Sequence, residues 1–253
     1  LGTALLSLGA AALTLALNES LRNYFGTTIG YSDVIDFTGG NRPGEPLVEF
    51  INNVFTGSSD DVLDLDGTDA WIQGNIFLHV HKNGSPDSSS GVSGGKNGSD
   101  LSEVTVIDNI FYDVDQAAMA KEANFFTLYG NTIVHQTHQG GQDTAGGAVC
   151  LEDDGVPAGL GMYLEGNIIS DAGHLVRNQM GTIVTFNNNL MSLPWDGAGT
   201  GNSLGDPLFV HVPQMSETNF DNWQQAQIMC DWLSLTPDSP AVGTGANEAD
   251  KGG

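Results

Sequence analysis

The chain has 253 residues, enough for one large core or two small ones. Its 31 acidic and 7 basic residues give a net charge of −24, which argues against nucleic acid as a partner and favours solubility, divalent cations or a salty exterior. Thirty-four glycines and a scarcity of helix-favouring charged residues suit an all-β, turn-rich protein better than a helical one.

In chain order, the first stretch is LGTALLSLGAAALTLALN (1–18). It is apolar enough to suggest a leader, yet it lacks Met and a basic flank and is short for a membrane span, so no membrane span is expected. A second reading comes from a recurring outline. VEFINNVF (48–55), AWIQGNIF (70–77), VTVIDNIF (104–111), FTLYGNTI (126–133), MYLEGNII (162–169) and VTFNNNLM (184–191) all place two apolar residues at two-residue spacing before an Asn. The Asn positions are 53, 75, 109, 131, 167 and 189, and LTLALN adds Asn18. Successive gaps are 35, 22, 34, 22, 36 and 22. That alternation predicts a solenoid with a 22-residue coil and an insertion of roughly 13 residues in every second coil. The insertions fall at 19–32, 78–89 and 134–147.

Period-two apolar spacing means strands. A second strand signal lies between the Asn copies: DVIDF (33–37), DVLDL (61–65), SGVSG (90–94), AAMAK (117–121), AVCLE (148–152) and HLVRN (174–178). Each coil therefore reads as strand, turn, strand, Asn corner, short third strand and variable loop. The expected fold is an all-β, right-handed parallel β-helix over 1–195, with 196–253 forming a closing segment and a short helical C-terminal cap packed on the same solenoid. A buried Asn at one corner bonds the backbone and its stacked neighbours, so it must recur coil after coil. Leu6 and Leu8 fit the slots of Leu63 and Leu65, making the N-terminus a coil with nothing capping it. Such an edge implies a missing N-terminal domain or end-to-end self-association. NFDNWQQAQIMCDWL (219–233) carries a helical stripe of Trp223, Ala226, Met229 and Leu233, expected to cover the last coil. Cys150 and Cys230 show no spacing signal and are read as two thiols rather than one bridge.

The Asn ladder, coil length and insertion site resemble the pectate-lyase-like β-helix superfamily. The tail DPLF (206–209) with SPAVGTG (239–245) is similar to the closing segment of secreted bacterial β-helix modules. The resemblance implies a secreted or cell-surface protein and a groove along the first strand of each coil, bordered by the long loops. On those strands Asp36, Asp64 and Asp66 point outward, and Asp33, Asp60 and Asp61 lie at the strand mouths. Carboxylates on coils ~4.8 Å apart raise one another's pKa or demand a cation. They suit Ca²⁺ binding, with Asp61, Asp64, Asp66, Glu152 and Asp153 as candidate ligands, or general acid and base work on a glycosidic bond. A merely solvated acidic face is the plain competitor.

The order SDVID, SDDVLDL, SSGVSGG, AMAKEA also resembles the active-site strands of polygalacturonase-type hydrolases. By that resemblance Asp33 matches the first Asp, Asp60 and Asp61 the Asp pair, and Lys121 the Lys. The chain departs from the family at SSGVSGG, which holds no His, and at Met119, which stands where the family has Arg. A lyase would instead use Ca²⁺ with a basic residue, Lys121 or Lys82, taking the proton. Four residues after the Asn stand His79, Asp113, His135 and Asp171, a column that fits either Zn²⁺ held by His79, Asp113 and His135 or a hydrogen-bonded ladder without metal. His81, His138 and Arg177 complete the candidate substrate-binding set. The functional expectation is an extracellular polysaccharide-active protein, hydrolase or lyase. A non-catalytic surface, adhesive or filament-forming module is the other class.

Overall fold

The computed structural model describes residues 22–37, 47–81, 89–135, 147–151, 156–177, 182–245 and 252. The described chain winds into a parallel β-helix with three sheets, every strand pairing in parallel with the corresponding strand of the next coil. The strands just after the ladder Asn form an eight-stranded sheet running from Tyr24–Phe25 to Ser203–Leu204. The second-signal strands form a six-stranded sheet, here called the acidic sheet: Ile35–Asp36, Leu63–Asp64, Ser90–Gly94, Gln116–Ala120, Gly147–Cys150 and His174–Arg177. The strands that precede the Asn form the third, here the aromatic sheet: Val48–Ile51, Ala70–Gln73, Glu103–Ile107, Phe125–Tyr129, Gly161–Glu165 and Ile183–Asn187.

The repeated Asn is a corner post. Asn53, Asn75, Asn109, Asn131, Asn167 and Asn189 are all buried. Each of these side-chain oxygens accepts both the backbone N–H and the Nδ2–H of the Asn one coil earlier, as Asn131 Oδ1 does from Asn109 at 3.0 Å each. Each of the five from Asn75 to Asn189 also has an Nδ2 that donates to the preceding coil's carbonyl, Val106 O for Asn131. Every polar group that the sharp corner buries thereby finds a partner. The residues before these six Asn are Asn52, Gly74, Asp108, Gly130, Gly166 and Asn188, and all six have φ between 53° and 68°. Only Gly, Asn and Asp enter that left-handed region cheaply, which fixes the composition of the slot.

The ladder has two rungs that the spacing misses. Asn202 comes 13 residues after Asn189, and Asn23 comes 30 residues before Asn53. Asn23, not Asn18, occupies the rung before Asn53: Asn53 Oδ1 accepts its N–H and Nδ2–H at 3.1 Å. The reason lies in the residues next to each amide. After Asn23 comes Tyr24–Phe25, which pairs with Val54–Phe55, whereas after Asn18 come Glu and Ser. Phe25, Phe55, Phe77 and Phe111, each two residues past its Asn, stack with centroids 4.6–4.9 Å apart inside the coil. Asn18, Leu6 and Leu8 lie outside the described residues.

The C-terminal segment lies along the flank of the solenoid, not over its end. The short helices Trp223–Ala226 and Ile228–Trp232 pack Ala226, Met229 and Leu233 against Val54, Ile76, Leu78, Ile110, Tyr112 and Val134, the outer face of the eight-stranded sheet. Tyr24 and Tyr112 donate their hydroxyls to Phe220 O and Pro213 O, and Trp223 Nε1 donates to Asn52 O. The outward residues of that sheet are apolar, so a flank cover buries far more surface than an end cap could. At the end of the core Trp195 packs on Phe186 instead, with ring centroids 4.7 Å apart. Neither cysteine forms a disulfide. No helix among the described residues is long and apolar enough to cross a membrane.

Candidate functional site

The acidic sheet sets the site by its register. Ile35, Leu63, Val92, Ala118 and Val149 stack inward. The next residue along points outward and forms the column Asp36, Asp64, Ser93, Met119, Cys150, Arg177. Its exposure is uneven. Asp36 is exposed and Asp64 and Arg177 are half-buried, while Ser93, Met119 and Cys150 are fully buried. The groove expected along the whole face is thus open at the Asp36 end and closed in the middle, where uncharged side chains are packed away from solvent.

At the open end five carboxyls converge. Asp33, Asp60 and Asp61 bring one oxygen each within 4.8 Å of one another, and so do Asp33, Asp36 and Asp64. Asp33 joins the two groups. Backbone amides orient them: Asp61 N–H donates to Asp33 Oδ1 at 2.9 Å, and Ser90 N–H to Asp61 Oδ1 at 2.7 Å. Asp66 accepts from Gly95 N–H at 2.6 Å, one slot further along the strand. Asp64 Oδ1 is buried with no hydrogen-bond partner. An orphaned buried carboxyl oxygen is costly in an ordinary fold.

Burial is the main force on the acidity of these groups. It pushes Asp33 up to about 6, aided by repulsion from Asp60 and opposed by the Asp61 N–H. Asp61 is pushed up to about 7, again by burial first, with Lys121 pulling it back. Asp64 rises to about 9 through burial and the neighbouring Asp61, against the same Lys121 charge. Lys121 therefore acts on Asp61 and Asp64 from two coils away and on Asp33 from three, in the outward slot beyond Met119.

The histidine column forms as a ladder. His79, Asp113, His135 and Asp171 all adopt φ of 54–57°, one above another where the eight-stranded sheet ends. His79 Nδ1 meets Asp113 Oδ2 at 2.7 Å and His135 Nδ1 meets Asp171 Oδ2 at 2.7 Å. His81 is buried between two carboxylates, Asp115 Oδ1 at 2.7 Å from Nδ1 and Asp113 Oδ2 at 3.1 Å from Nε2. Burial alone would lower His81, but Asp113 and Asp115 outweigh it and raise it to about 9. Among the described residues only the two aspartate groups gather three ligand atoms within 4.8 Å. Of the set offered for Zn²⁺, His79 and Asp113 meet each other and His135 meets Asp171, the arrangement of a hydrogen-bonded ladder. His79 Nε2 faces Thr218 of the tail, 3.0 Å from its Oγ1, beside a cleft of about 220 Å³ whose lining includes Gly26, Thr27 and Thr56 from the coils that carry Asp33 and Asp60.

Arg177 closes the far end of the outward column and donates to Gln116 Oε1 at 3.3 Å, so it does not join the carboxyls. Lys82, His138, Glu152 and Asp153 lie outside the described residues. Asp115 is absent from the candidates that the sequence offers, although it binds His81 and accepts from Ser89 N–H at 3.1 Å. Aligning coils on Leu63, Val92 and Ala118, rather than on the Asn, places Asp60, Ser89 and Asp115 in one column and brings it out. No family model, curated protein or solved structure matches this chain.

Proposed function

We propose that the protein is a secreted or cell-surface polysaccharide-active β-helix whose acidic cluster cleaves glycosidic bonds. The observation that carries this reading is the convergence of five carboxyls, Asp33, Asp36, Asp60, Asp61 and Asp64, among which burial pushes Asp33, Asp61 and Asp64 upward, Asp64 more than Asp33. Environments that push neighbouring carboxyls apart assign one as acid and another as base or nucleophile. At neutral pH Asp64 holds its proton and Asp33 is ionised. Asp64 then protonates the leaving glycosidic oxygen while Asp33 acts at the anomeric carbon. Their oxygens lie within 4.8 Å, nearer the spacing of about 5–5.5 Å that goes with retention than the 6.5–9.5 Å of inversion. In the retaining sequence Asp33 forms the glycosyl ester, the leaving group departs with the Asp64 proton, and water then restores both groups. Lys121 limits the rise in pKa that burial imposes. The resemblance of Asp33, Asp60, Asp61 and Lys121 to polygalacturonase-type strands supports a hydrolase at this cluster and does not extend to Asp64. With five carboxyls at the site, a neutral glycan is favoured over a polyuronate.

The test is reducing-end release across a panel of neutral and acidic polysaccharides, with and without chelator. Asp33→Asn and Asp64→Asn are expected to lower turnover by roughly 10²–10⁴-fold in protein that still folds. Full activity in either variant, or no release from any glycan, removes the hydrolase reading.

The orphaned Asp64 Oδ1 also favours a second reading, a calcium site. The donor set of Asp33, Asp36 and Asp64 is all oxygen, as Ca²⁺ requires, and the cation would neutralise mutual repulsion and bridge the cluster to an anionic sugar. In that case the chain's own Lys121 would be the proton acceptor of a lyase. Release of unsaturated products that stops with chelator selects this version.

A further inference from the structure

The outer face of the aromatic sheet takes no part in the acidic site. Alternate residues of its strands, among them Phe50, Ile72, Val106, Phe126, Leu164 and Phe186, fill the core. Their neighbours must therefore face out. The central outward column reads Glu49, Trp71, Thr105, Thr127, Tyr163, Thr185. Phe125 and Tyr129 flank it on the Thr127 strand, 42% and 38% exposed. These large rings stand on an open face of a protein whose core buries six phenylalanines completely.

The rings are held in place. Trp71 Nε1 donates to Gln73 Oε1 at 3.0 Å. Tyr163 donates its hydroxyl to Glu165 Oε2 at 2.8 Å and accepts from Asn187 Nδ2 at 3.1 Å. Tyr129 and Tyr163 lie edge to face with centroids 5.9 Å apart. Fixed rings lose little freedom on binding. Six strands at ~4.8 Å by five residues at ~3.3 Å make a face of about 475 Å². That is about three-fifths of the ~800 Å² that each partner contributes to a stable protein interface. The described strands of the sheet carry glutamates and no Lys or Arg, so a second copy of a −24 chain or an anionic polymer meets like charge.

We propose that this face is a docking platform for a neutral, hydroxyl-rich polysaccharide chain. Sugar C–H faces carry partial positive charge and stack on the negative faces of the rings. Sugar hydroxyls donate to Glu49 and Glu165 and exchange hydrogen bonds with the threonines between. Trp71 and Tyr163 stand three coils apart, ~14 Å, so the platform grips several consecutive sugars and is long enough to orient a chain along the solenoid axis. Its evidence is separate from that for the acidic cluster, and the two stand or fall independently.

The experiment is affinity electrophoresis in gels containing xyloglucan or mixed-linkage β-glucan, co-sedimentation with cellulose and chitin, and a polygalacturonate arm. The folded wild-type chain is expected to be retained by at least one neutral glycan. The double change Trp71→Ala with Tyr163→Ala is expected to weaken retention at least tenfold. Thr127→Glu, which removes no ring but puts charge and bulk among them, should do the same, guarding against a packing artefact in the double variant. Asp64→Asn should bind as the wild type does, and a wild-type chain that is retained by neutral glycans but cleaves none of them supports the platform while refuting the hydrolase. Retention unchanged in both face variants, preference for polygalacturonate, or no retention by any neutral glycan overturns the proposal. So does a dimer in sedimentation that Thr127→Glu dissociates, since the face would then meet a second copy.

Discussion

The Asn corner and the acidic corner lie on the same coils and solve the same problem in opposite ways. At the first, one residue type recurs on eight successive rungs, from Asn23 to Asn202, and the amides are partnered from coil to coil. At the second the residue type varies along the column, the carboxyls are forced up by burial, and Asp64 Oδ1 has no partner. A polar group that serves the fold is satisfied within it. Groups kept buried, crowded and incompletely bonded fit the site proposed above, whose partner would come from outside.

The comparison breaks first at the ladder. Asn131→Ala removes the acceptor for Asn109 N–H and Nδ2–H and is expected to cost about 3 kcal/mol, read as a lower denaturant midpoint with unchanged slope. A loss under about 1 kcal/mol would show that the ladder is decorative. Next comes Asp64→Asn, which should act with the opposite sign. Raised carboxyl pKa values mean that the folded chain binds more protons than the unfolded one, so these groups weaken the fold as pH rises above about 4. The amide should therefore stabilise by about 1–2 kcal/mol at pH 8 and change nothing at pH 3.

Wild-type thermal midpoints sharpen the same point. His81 is raised, so its contribution is complete below pH 6.5 and lost as pH climbs through about 9. Carboxyls and imidazole thus push the same way, and the midpoint should fall by several degrees between pH 5 and pH 9. A flat or rising curve would contradict the burial of both groups. The smallest effect is expected at the flank. Trp223→Phe removes the hydrogen bond to Asn52 O and shrinks the ring that packs on the flank and under Arg22, and should cost about 0.5–1 kcal/mol, detected as faster amide exchange in the tail with the coils unchanged.

The three-sheet architecture was legible because a solenoid repeats its grammar: each coil writes the same apolar spacing, and each Asn marks the same corner. The misses have the same origin. Asn23 and Asn202 sit at gaps of 30 and 13, outside the 22 and 34–36 rhythm, and the slot before each Asn looked arbitrary because left-handed backbone accepts Gly, Asn and Asp alike. The acidic set of Asp33, Asp36, Asp60, Asp61 and Asp64 could be named from strand parity. Asp115 could not, because it becomes visible only when coils are aligned on the second strand.

Residue by residue, the chain determined its own coil, since alternation, a polar corner and turn-forming residues are local properties that neighbouring coils merely copy. It also determined which carboxyls would share one edge, because stacking at a fixed repeat converts sequence spacing into distance. Tertiary structure alone decided how deeply each carboxyl is buried, and hence which keeps its proton, because desolvation depends on everything packed around a group and not on its position in the chain. It likewise decided that the tail lies along the flank: a helical stripe states that an apolar surface must be covered, and only the shape of the solenoid states which one.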